Sequence, residues 1–446
     1  MRNSENKTIA AIATGEGAGG IAIVRISGDN ALSILKRAFR PKRKHKGSFE
    51  PAKMMYGYVL DEADEVIDEA MAVYFRSPNT YTREDVCEIQ LHGGRMSAQA
   101  ALDAVCKMGA VLAEPGEFTR RAFLNGRIDL SEAEAVMGII SARSQAARRA
   151  SVRQLRGGVS SRIGRAREEL VSLLALISAA TDFPDEIDEP AAAMDVLMRA
   201  RHVRDDLIKA SDDKNARIVR EGASVVLVGR PNAGKSSVMN AILCADRAIV
   251  TEIPGTTRDV LTESVDIGGV RISLSDTAGI RDTLDPVEKI GVSRAKSAID
   301  EADCVVLLLN ANGEMTDEDT ALMNARDDRY IIAYNKCDLE RKEGLEGIYV
   351  SAKTGEGIDA LTREIILKTG SLQVNEDMMT LPRHIECAQT AICALNRAIS
   401  GIEGMVPLDF ASSDLREAMD ALGDITGETM NEKVIDRVFS DFCVGK

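Results

Sequence analysis

The sequence predicts a multidomain α/β chain with a small N-terminal α+β domain, a helical domain in two segments, and an α/β domain inserted between those segments. Three observations carry this expectation. The length of 446 residues exceeds what one core usually serves. Short β-type runs dominate the first 123 residues, whereas Ala, Leu and Arg recur at helical spacing from about residue 124. From Arg217 onward strands and helices alternate, the pattern of a mostly parallel sheet covered on both faces.

In residues 1–123 the runs Thr8–Ala13, Ile21–Ile26, Ala70–Phe75 and Val86–Leu91 read as strands, and Ala98–Met108 reads as a helix. Residues 124–216 form the first helical segment. Within SEAEAVMGIISARSQAARRASVRQL, Ser131 is the expected N-cap and Glu134, three residues on, its capping-box partner. The prolines and acids of TDFPDEIDEP mark a loop. Residues 217–372 hold the strands SVVLVG, DCVVLLLNA, YIIAYNK and GIYVSAK with helices between them. Residues 373–446 return to a helical pattern, so the two helical segments are expected to pack together around the insertion.

Composition excludes several classes. Apolar residues are 45% and charged residues 28%, an ordinary globular balance. The net charge of −14 argues against a protein that coats nucleic acid non-specifically, without excluding a local basic face. Arginines cluster between Arg143 and Arg167, which is either a partner surface or an ordinary solvated helix face. None of the eight cysteines forms a C-x-x-C pair, so zinc or redox spacing is missing. No leader and no membrane-length apolar run is present, so a cytoplasmic chain without a membrane partner is expected.

The chemistry lies in the inserted domain. Gly229-Arg-Pro-Asn-Ala-Gly234-Lys235-Ser236 follows the strand Val225–Val228 and precedes a helix, as a phosphate-binding loop requires. Its glycines let backbone N–H groups face phosphate oxygens. Lys235 is suited to the β/γ-phosphates and Ser236 to Mg²⁺. Asp276-Thr-Ala-Gly279 follows the strand Arg271–Ser275, with Asp276 placed for water-mediated Mg²⁺ contact and the Gly279 N–H for the γ-phosphate. Asn335-Lys-Cys-Asp338 ends the strand Tyr330–Tyr334, and its Asp338 carboxylate matches the N1–H and N2–H₂ donors of guanine, which adenine lacks. Ser351-Ala-Lys353 would back the base. Each short motif alone is weak; their order and strand-end positions make a Ras-like GTP-binding G domain.

Ile280 follows DTAG where Ras-like enzymes carry a water-orienting Gln, and an aliphatic side chain cannot do that work. Asn232 in the P-loop is either a turn residue or a ligand for a monovalent cation replacing an arginine finger.

IAIVRISG, PGEFTRRAFLNGRIDLSEAEAV, TDFP, GRPNAGKSS, GTTRD, DTAGIR and the terminal FCVGK together resemble the tRNA modification GTPase family MnmE, also called TrmE, over nearly the whole chain. The resemblance implies a K⁺-activated GTPase whose G domains dimerise across their nucleotides. It implies that Asn232, Thr251, Ile253 and Thr256 hold K⁺, and that Ser236 and Thr257 hold Mg²⁺. GTP contacts would come from Asn232, Ala233, Gly234, Lys235, Ser236 and Ser237. Further contacts would come from Thr251, Glu252, Ile253, Pro254, Gly255, Thr256 and Thr257, then from Asp276, Thr277, Ala278 and Gly279. Asn335, Lys336, Asp338, Ser351, Ala352 and Lys353 complete the set. Glu288, in DPVEKIG, would position the attacking water indirectly, acting with Lys235 and Asn232; by itself it reads as a solvated helix residue.

The resemblance further implies an N-terminal domain that dimerises and binds 5-formyl- or methylene-tetrahydrofolate through Arg25, Glu88, Arg127 and Lys446. Each of these alone reads as a surface charge. Arg127 stands where some relatives have Lys, which changes the geometry of the cation. Cys443 is either an inert buried thiol or a participant in one-carbon chemistry on tRNA. The implied partners are tRNA, a second copy of the chain, and an MnmG-type FAD protein in a heterotetramer that modifies carbon 5 of the wobble uridine. A ribosome-assembly GTPase and a folate-dependent C1 transferase are the rival readings.

The chain also departs from the family pattern. GEGAGG replaces a Pro-Gly-Arg turn, and LHGGRMSAQ lacks the proline common after HGG. Gly15-x-Gly17-x-x-Gly20 mimics a dinucleotide fingerprint but precedes a strand instead of a helix, so no such site is expected.

Overall fold

A computed structural model describes residues 7–15, 17, 19–42, 49–245, 262–267, 269–276, 298–313, 315–324, 326–339, 345–369 and 378–445. The chain divides into two compact units. One comprises residues 1–137 with 423–446, and the other residues 138–422.

The first unit is built on a seven-stranded sheet. Its strands are β1 (Ile9–Ile12), β2 (Ile21–Ser27), β3 (Phe39–Pro41), β4 (Met55–Leu60), β5 (Val66–Phe75), β6 (Val86–His92) and β7 (Val111–Leu112), in the order β3-β4-β5-β6-β2-β1-β7. The period of two along β2 buries Ala22, Val24 and Ile26 and leaves Ile23 and Arg25 on the opposite face. β6 does the same with Cys87, Ile89 and Leu91, leaving Glu88 outward. Helices α1 (Ala31–Ala38) and α2 (Arg95–Lys107) cover the first face with Ile34, Leu35, Leu102 and Val105. On the other face α3 (Glu117–Leu124) places Phe118 against Ile9 and Ala11. The last helix of the chain, over Glu432–Ser440, adds Phe439 to Ala122 and Leu130.

Helix α4 (Leu130–Ser141) corrects the expected cap. The reciprocal bonds join Asp129 and Glu132, not Ser131 and Glu134: Glu132 N–H donates to Asp129 Oδ1 at 2.8 Å, and Asp129 N–H donates to Glu132 Oε2 at 2.9 Å. Starting the helix two residues earlier lets the completely buried Leu130 join the core.

The arginine-rich stretch also differs from a single helix. It forms α5 (Gln145–Leu155) and the start of α6 (Gly158–Asp182), separated by Gly157 at φ 82°. A left-handed residue ends one helix before the next begins. Ser144 Oγ caps α5 by accepting from the Ala147 N–H at 3.0 Å.

Helix α7 (Glu189–Ala210) follows the predicted loop, and α8 (Asp213–Glu221) leads into the second sheet. That sheet has β8 (Ala223–Val228), β9 (Thr262–Ile267), β10 (Val270–Asp276), β11 (Cys304–Asn310), β12 (Tyr330–Asn335) and β13 (Ile348–Tyr349) in the order β13-β12-β11-β8-β10-β9. All pairings are parallel except β9 with β10, an antiparallel edge that strand–helix alternation did not reveal. β8 and β11 are almost wholly buried, as central strands covered on both faces must be. Around the sheet lie α9 (Lys235–Ala245), α10 (Asp317–Asn324) and α11 (Ile358–Lys368).

Beyond the sheet come α12 (Pro382–Glu403), α13 (Leu408–Thr426) and α14 (Glu432–Ser440). α12 returns to pack along α7, with Arg201 paired to Glu403. Buried alanines recur on both helices (Ala192, Ala200 and Ala210 on α7; Ala388, Ala391, Ala394 and Ala398 on α12). Helices on either side of the insertion therefore do pack together. Among the described residues no helix is long and apolar enough to cross a membrane.

Candidate functional site

The nucleotide motifs converge at the carboxyl ends of β8 and β12. β8 ends at Val228, and the P-loop turns through Gly229 at φ 155°, Asn232 at φ 65° and Gly234 at φ 90° into α9. Gly234 is needed for space as well as for its torsion: a Cβ there would lie 2.2 Å from Asn335 Nδ2. Lys235 is 5% exposed, and its ammonium donates to the carbonyls of Gly229 at 2.7 Å and Arg230 at 3.1 Å. The cation thus rests on the loop that would surround the phosphates. Ser236 and Ser237 follow in the first turn of α9, both exposed.

Asn335 ties this loop to the Ser351–Lys353 segment. Its Nδ2 donates to the Ala233 carbonyl at 2.8 Å, and its Oδ1 accepts from the Ala352 N–H at 3.3 Å. The side chain is 2% exposed, so these bonds are shielded from water. Lys336, at φ 66°, adds a second strut from its Nζ to the Asn232 carbonyl at 2.9 Å. Asp338 is aimed by Ser351, whose Oγ donates to Oδ1 at 2.7 Å. That hydrogen bond holds the Asp338 carboxyl below its usual range, and the Lys353 charge adds to the effect. Asp338 is therefore an ionised acceptor at neutral pH, the form that guanine donors require.

Thr251, Glu252, Ile253, Pro254, Gly255, Thr256, Thr257, Thr277, Ala278, Gly279, Ile280 and Glu288 lie outside the described residues, as does Lys446. Asp276 ends β10, beside β8 in parallel register with Leu227. Sequence reasoning missed Asp319 on α10. It is 3% exposed and pairs with P-loop Arg230 at 2.9 Å, beside a cavity of about 220 Å³ that also reaches Asn310 and Tyr334. No motif spacing links Arg230 to Asp319; only the fold does.

Three of the four N-terminal residues singled out line one cleft of about 780 Å³: Arg25, Glu88 and Arg127. Strand register explains the first two, because Arg25 on β2 lies directly opposite Glu88 on β6. They form an ion pair at 2.9 Å, so Arg25 is already committed to Glu88. The Arg25 guanidinium also lies 5.7 Å from the ring centres of Tyr81 and Phe118. Arg127 is 4.4 Å from the Tyr81 ring centre, and its buried Nε has no hydrogen-bond partner among the described residues. Tyr81 and Arg83 complete the cleft wall from a loop whose residue pattern carries no periodic signal, which is why sequence reasoning passed over them. Beneath them Thr82 meets Ser27 at 2.7 Å, and Ser27 donates to Glu84 at 2.7 Å, anchoring that loop.

Cys443 is exposed and does not line this cleft; its carbonyl accepts from the Gly116 N–H at 3.4 Å. Among the described residues no cluster of three or more His, Cys, Asp or Glu side chains could hold a metal ion.

Comparisons with known proteins cover nearly the whole chain. The family model described as the MnmE helical domain matches residues 130–443, and that described as the GTP-binding protein TrmE N-terminus matches residues 8–127. The chain is 41% identical over 450 residues to a tRNA modification GTPase MnmE of Finegoldia magna, covering 98% of this chain and 99% of that protein. It is 42% identical over 456 residues to one of Thermoanaerobacter pseudethanolicus, with the same coverage. Among solved structures, the G domain of the T. maritima FeoB iron transporter aligns over 33% of this chain and 98% of that chain, at 25% identity and a TM-score of 0.25.

Proposed function

Because the chain belongs to the MnmE (TrmE) family of tRNA modification GTPases, we propose that it is a potassium-activated GTPase modifying carbon 5 of the wobble uridine in certain tRNAs. GTP binding and GTP hydrolysis come with the family. The finer reading adds an MnmG-type FAD protein as partner, a homodimer within a heterotetramer, and addition of an aminomethyl or carboxymethylaminomethyl group. GTP hydrolysis would drive G-domain dimerisation and the accompanying conformational change.

One observation carries the reading: the buried Asn335 amide joins the P-loop to the loop that backs the base. It supports a site in which phosphate and guanine are gripped together. In the bound state Lys235 would exchange its Gly229 and Arg230 carbonyls for β/γ-phosphate oxygens. Asp338 would accept from the guanine N1–H and N2–H₂. Ser236, at the start of α9, is suited to Mg²⁺ and would share it with Thr257. The exposed Asn232 is suited to K⁺ and would share it with Thr251, Ile253 and Thr256. Both cations offset the negative charge that spreads over the transferring phosphoryl group. Glu288 would orient the attacking water through an intermediary, the task Ile280 cannot perform.

For the folate, the cleft of about 780 Å³ and the unpartnered Arg127 Nε support an anionic, aromatic occupant. Arg127 would bind its carboxylate, Tyr81 would offer an aromatic face, and Glu88 would accept from the pterin amine alongside Arg25. Lys446 would add a second cation. Tetrahydrofolate in its methylene or 5-formyl form supplies a one-carbon unit when bound. Cys443 would take part in the one-carbon chemistry on tRNA.

The proposed domains are residues 1–123 for folate binding and dimerisation, 124–216 and 373–446 for the helical domain, and 217–372 for the G domain. The test is wobble-uridine analysis of tRNA from cells lacking the protein. The reading expects loss of the carbon-5 substituent, and its full retention would refute the modification role.

A further inference from the structure

Between Glu134 and Glu168 the chain has eight arginines and no aspartate, glutamate or lysine, although its net charge is −14. An ordinary solvated helix face mixes signs, because oppositely charged pairs four residues apart stabilise it and like charges repel. The single sign here is unusual, and so is the exclusive use of arginine. The planar guanidinium fork matches phosphate oxygens two at a time, which an ammonium does not.

The fold leaves four of these arginines, Arg143, Arg148, Arg149 and Arg156, exposed at and around α5, whereas Arg162 on α6 is paired with Asp206. Ala147, Ser151 and Gln154 bury one side of α5, leaving Arg148, Arg149 and, just past its end, Arg156 exposed. α5 is fastened to the β9–β10 hairpin by the Ala146 N–H, which donates to the Gly269 carbonyl at 2.8 Å. This brings the exposed Arg143 near Arg271 of β10. Arg271 is held below its usual value, first by desolvation and then by the Arg143 charge.

Asp266 stands directly across the hairpin from Arg271 and would be its natural partner. Its Oδ2 instead accepts from the Gln145 N–H at 3.4 Å. Among the described residues Arg271 donates only to Ser264 Oγ, at 2.9 Å, and Arg148 only to the Gln145 side chain. Among the described residues Arg143, Arg148, Arg149, Arg156 and Arg271 form no ion pair. Two arginines brought together with a nearby carboxylate turned elsewhere call for an anion from outside the chain.

We propose that the exposed face of α5, with Arg143 and Arg271 at its hairpin end, docks the phosphodiester backbone of the tRNA. This rests on the reading of tRNA as substrate. α5 is about 16 Å long, enough to follow several consecutive phosphates. The rest of a strongly acidic molecule repels RNA, so one basic face also sets the orientation of docking.

The experiment uses the full chain with Arg148→Gln, Arg149→Gln and Arg156→Gln combined, and a second variant with Arg143→Gln and Arg271→Gln. Fluorescence anisotropy follows binding of labelled tRNA between 50 and 200 mM KCl, and GTP hydrolysis without tRNA serves as the folding control. The triple variant is expected to reduce the slope of log K against log salt by about 2–3 and to weaken binding at least about tenfold, with GTP hydrolysis retained. The double variant should show a smaller change in the same direction. Replacing the three with lysine should restore most of the slope.

If wild type and both glutamine variants bound tRNA with one affinity and one slope, the proposal would be overturned while the modification reading stood. It would equally be overturned if wild type bound no tRNA but cells lacking the protein still lost the modification. The face would then belong to another partner, such as an acidic protein surface. Retention of the modification in those cells refutes the underlying reading, a result distinct from either of these.

Discussion

Truncating Asn335 to alanine tests the coupling between phosphate and base recognition. The substitution removes the donor that meets the Ala233 carbonyl at 2.8 Å and the acceptor that meets the Ala352 N–H at 3.3 Å. Asn335 is 2% exposed and Ala233 is 2% exposed, so water cannot freely replace the lost partner of the carbonyl. A buried group left without its hydrogen bond costs about 1–3 kcal/mol. The Ala352 bond is long and only partly buried, so the sum is set at about 2–3 kcal/mol. If this falls on the nucleotide-competent loop, Kd for GTP rises by about 30- to 150-fold. Asn335→Asp should do no better than alanine. It keeps an acceptor for Ala352 but turns a carboxylate oxygen toward the Ala233 carbonyl. The assay is titration with a fluorescent GTP analogue, with a thermal unfolding curve run alongside. A Kd within threefold of wild type for both variants, whatever the change in unfolding temperature, would show that the strut supports the fold and not the nucleotide.

GTP turnover should be much faster in KCl than in NaCl if Asn232 holds a monovalent cation, and equal steady-state rates would remove that role. Arg127→Ala should weaken binding of 5-formyl-tetrahydrofolate by at least about tenfold, as loss of a charge-assisted hydrogen bond implies, with GTP hydrolysis unchanged; calorimetric titration showing wild-type affinity would empty the cleft of its assigned ligand. The His92 Nδ1–H donates to Asp68 Oδ1 at 2.8 Å, and that hydrogen bond, then the Asp68 charge, raises the pKa of His92 above 6.5. A raised folded value means stabilisation that is complete below the unfolded value and lost as pH rises through the folded one. The unfolding midpoints of wild type and His92→Gln should therefore converge as pH rises from 6 to 9, and a constant gap would deny the charged pair any part.

What the sequence made legible follows from how each feature is encoded. The P-loop and Asn335-Lys-Cys-Asp338 were readable because strand, turn and helix lie contiguously and the chemistry demands those residue types in that order. The pairing of Arg25 with Glu88 was not, because it depends on β2 and β6 being neighbours in one register across 63 positions of chain. The cap at Asp129 was missed because two overlapping boxes share the local spacing. Burial of Leu130, a tertiary effect, chose between them. Gly157 sits in a stretch of helical composition, and only its left-handed torsion shows that α5 ends there. β4 and β5 escaped or were shortened because strands with one solvated face carry charge and aromatic residues that blur their edges.

The end of β12 concentrates more of the mechanism than its short motif suggests. Asn335 bonds the P-loop on one side and the Ser351–Lys353 loop on the other, and Lys336 reaches the carbonyl of Asn232. Asn232 is the residue whose side chain the proposed reading gives to K⁺. Its backbone is left-handed at φ 65°, a conformation a non-glycine residue holds only when its surroundings fix it. The Lys336 bond is one such restraint. Ordering of this strand end when guanine meets Asp338 would therefore be felt at the cation ligand without any movement of the strand itself. A site built this way couples the choice of base to the readiness of the phosphate end, so selectivity for GTP would appear in the hydrolysis rate as well as in affinity.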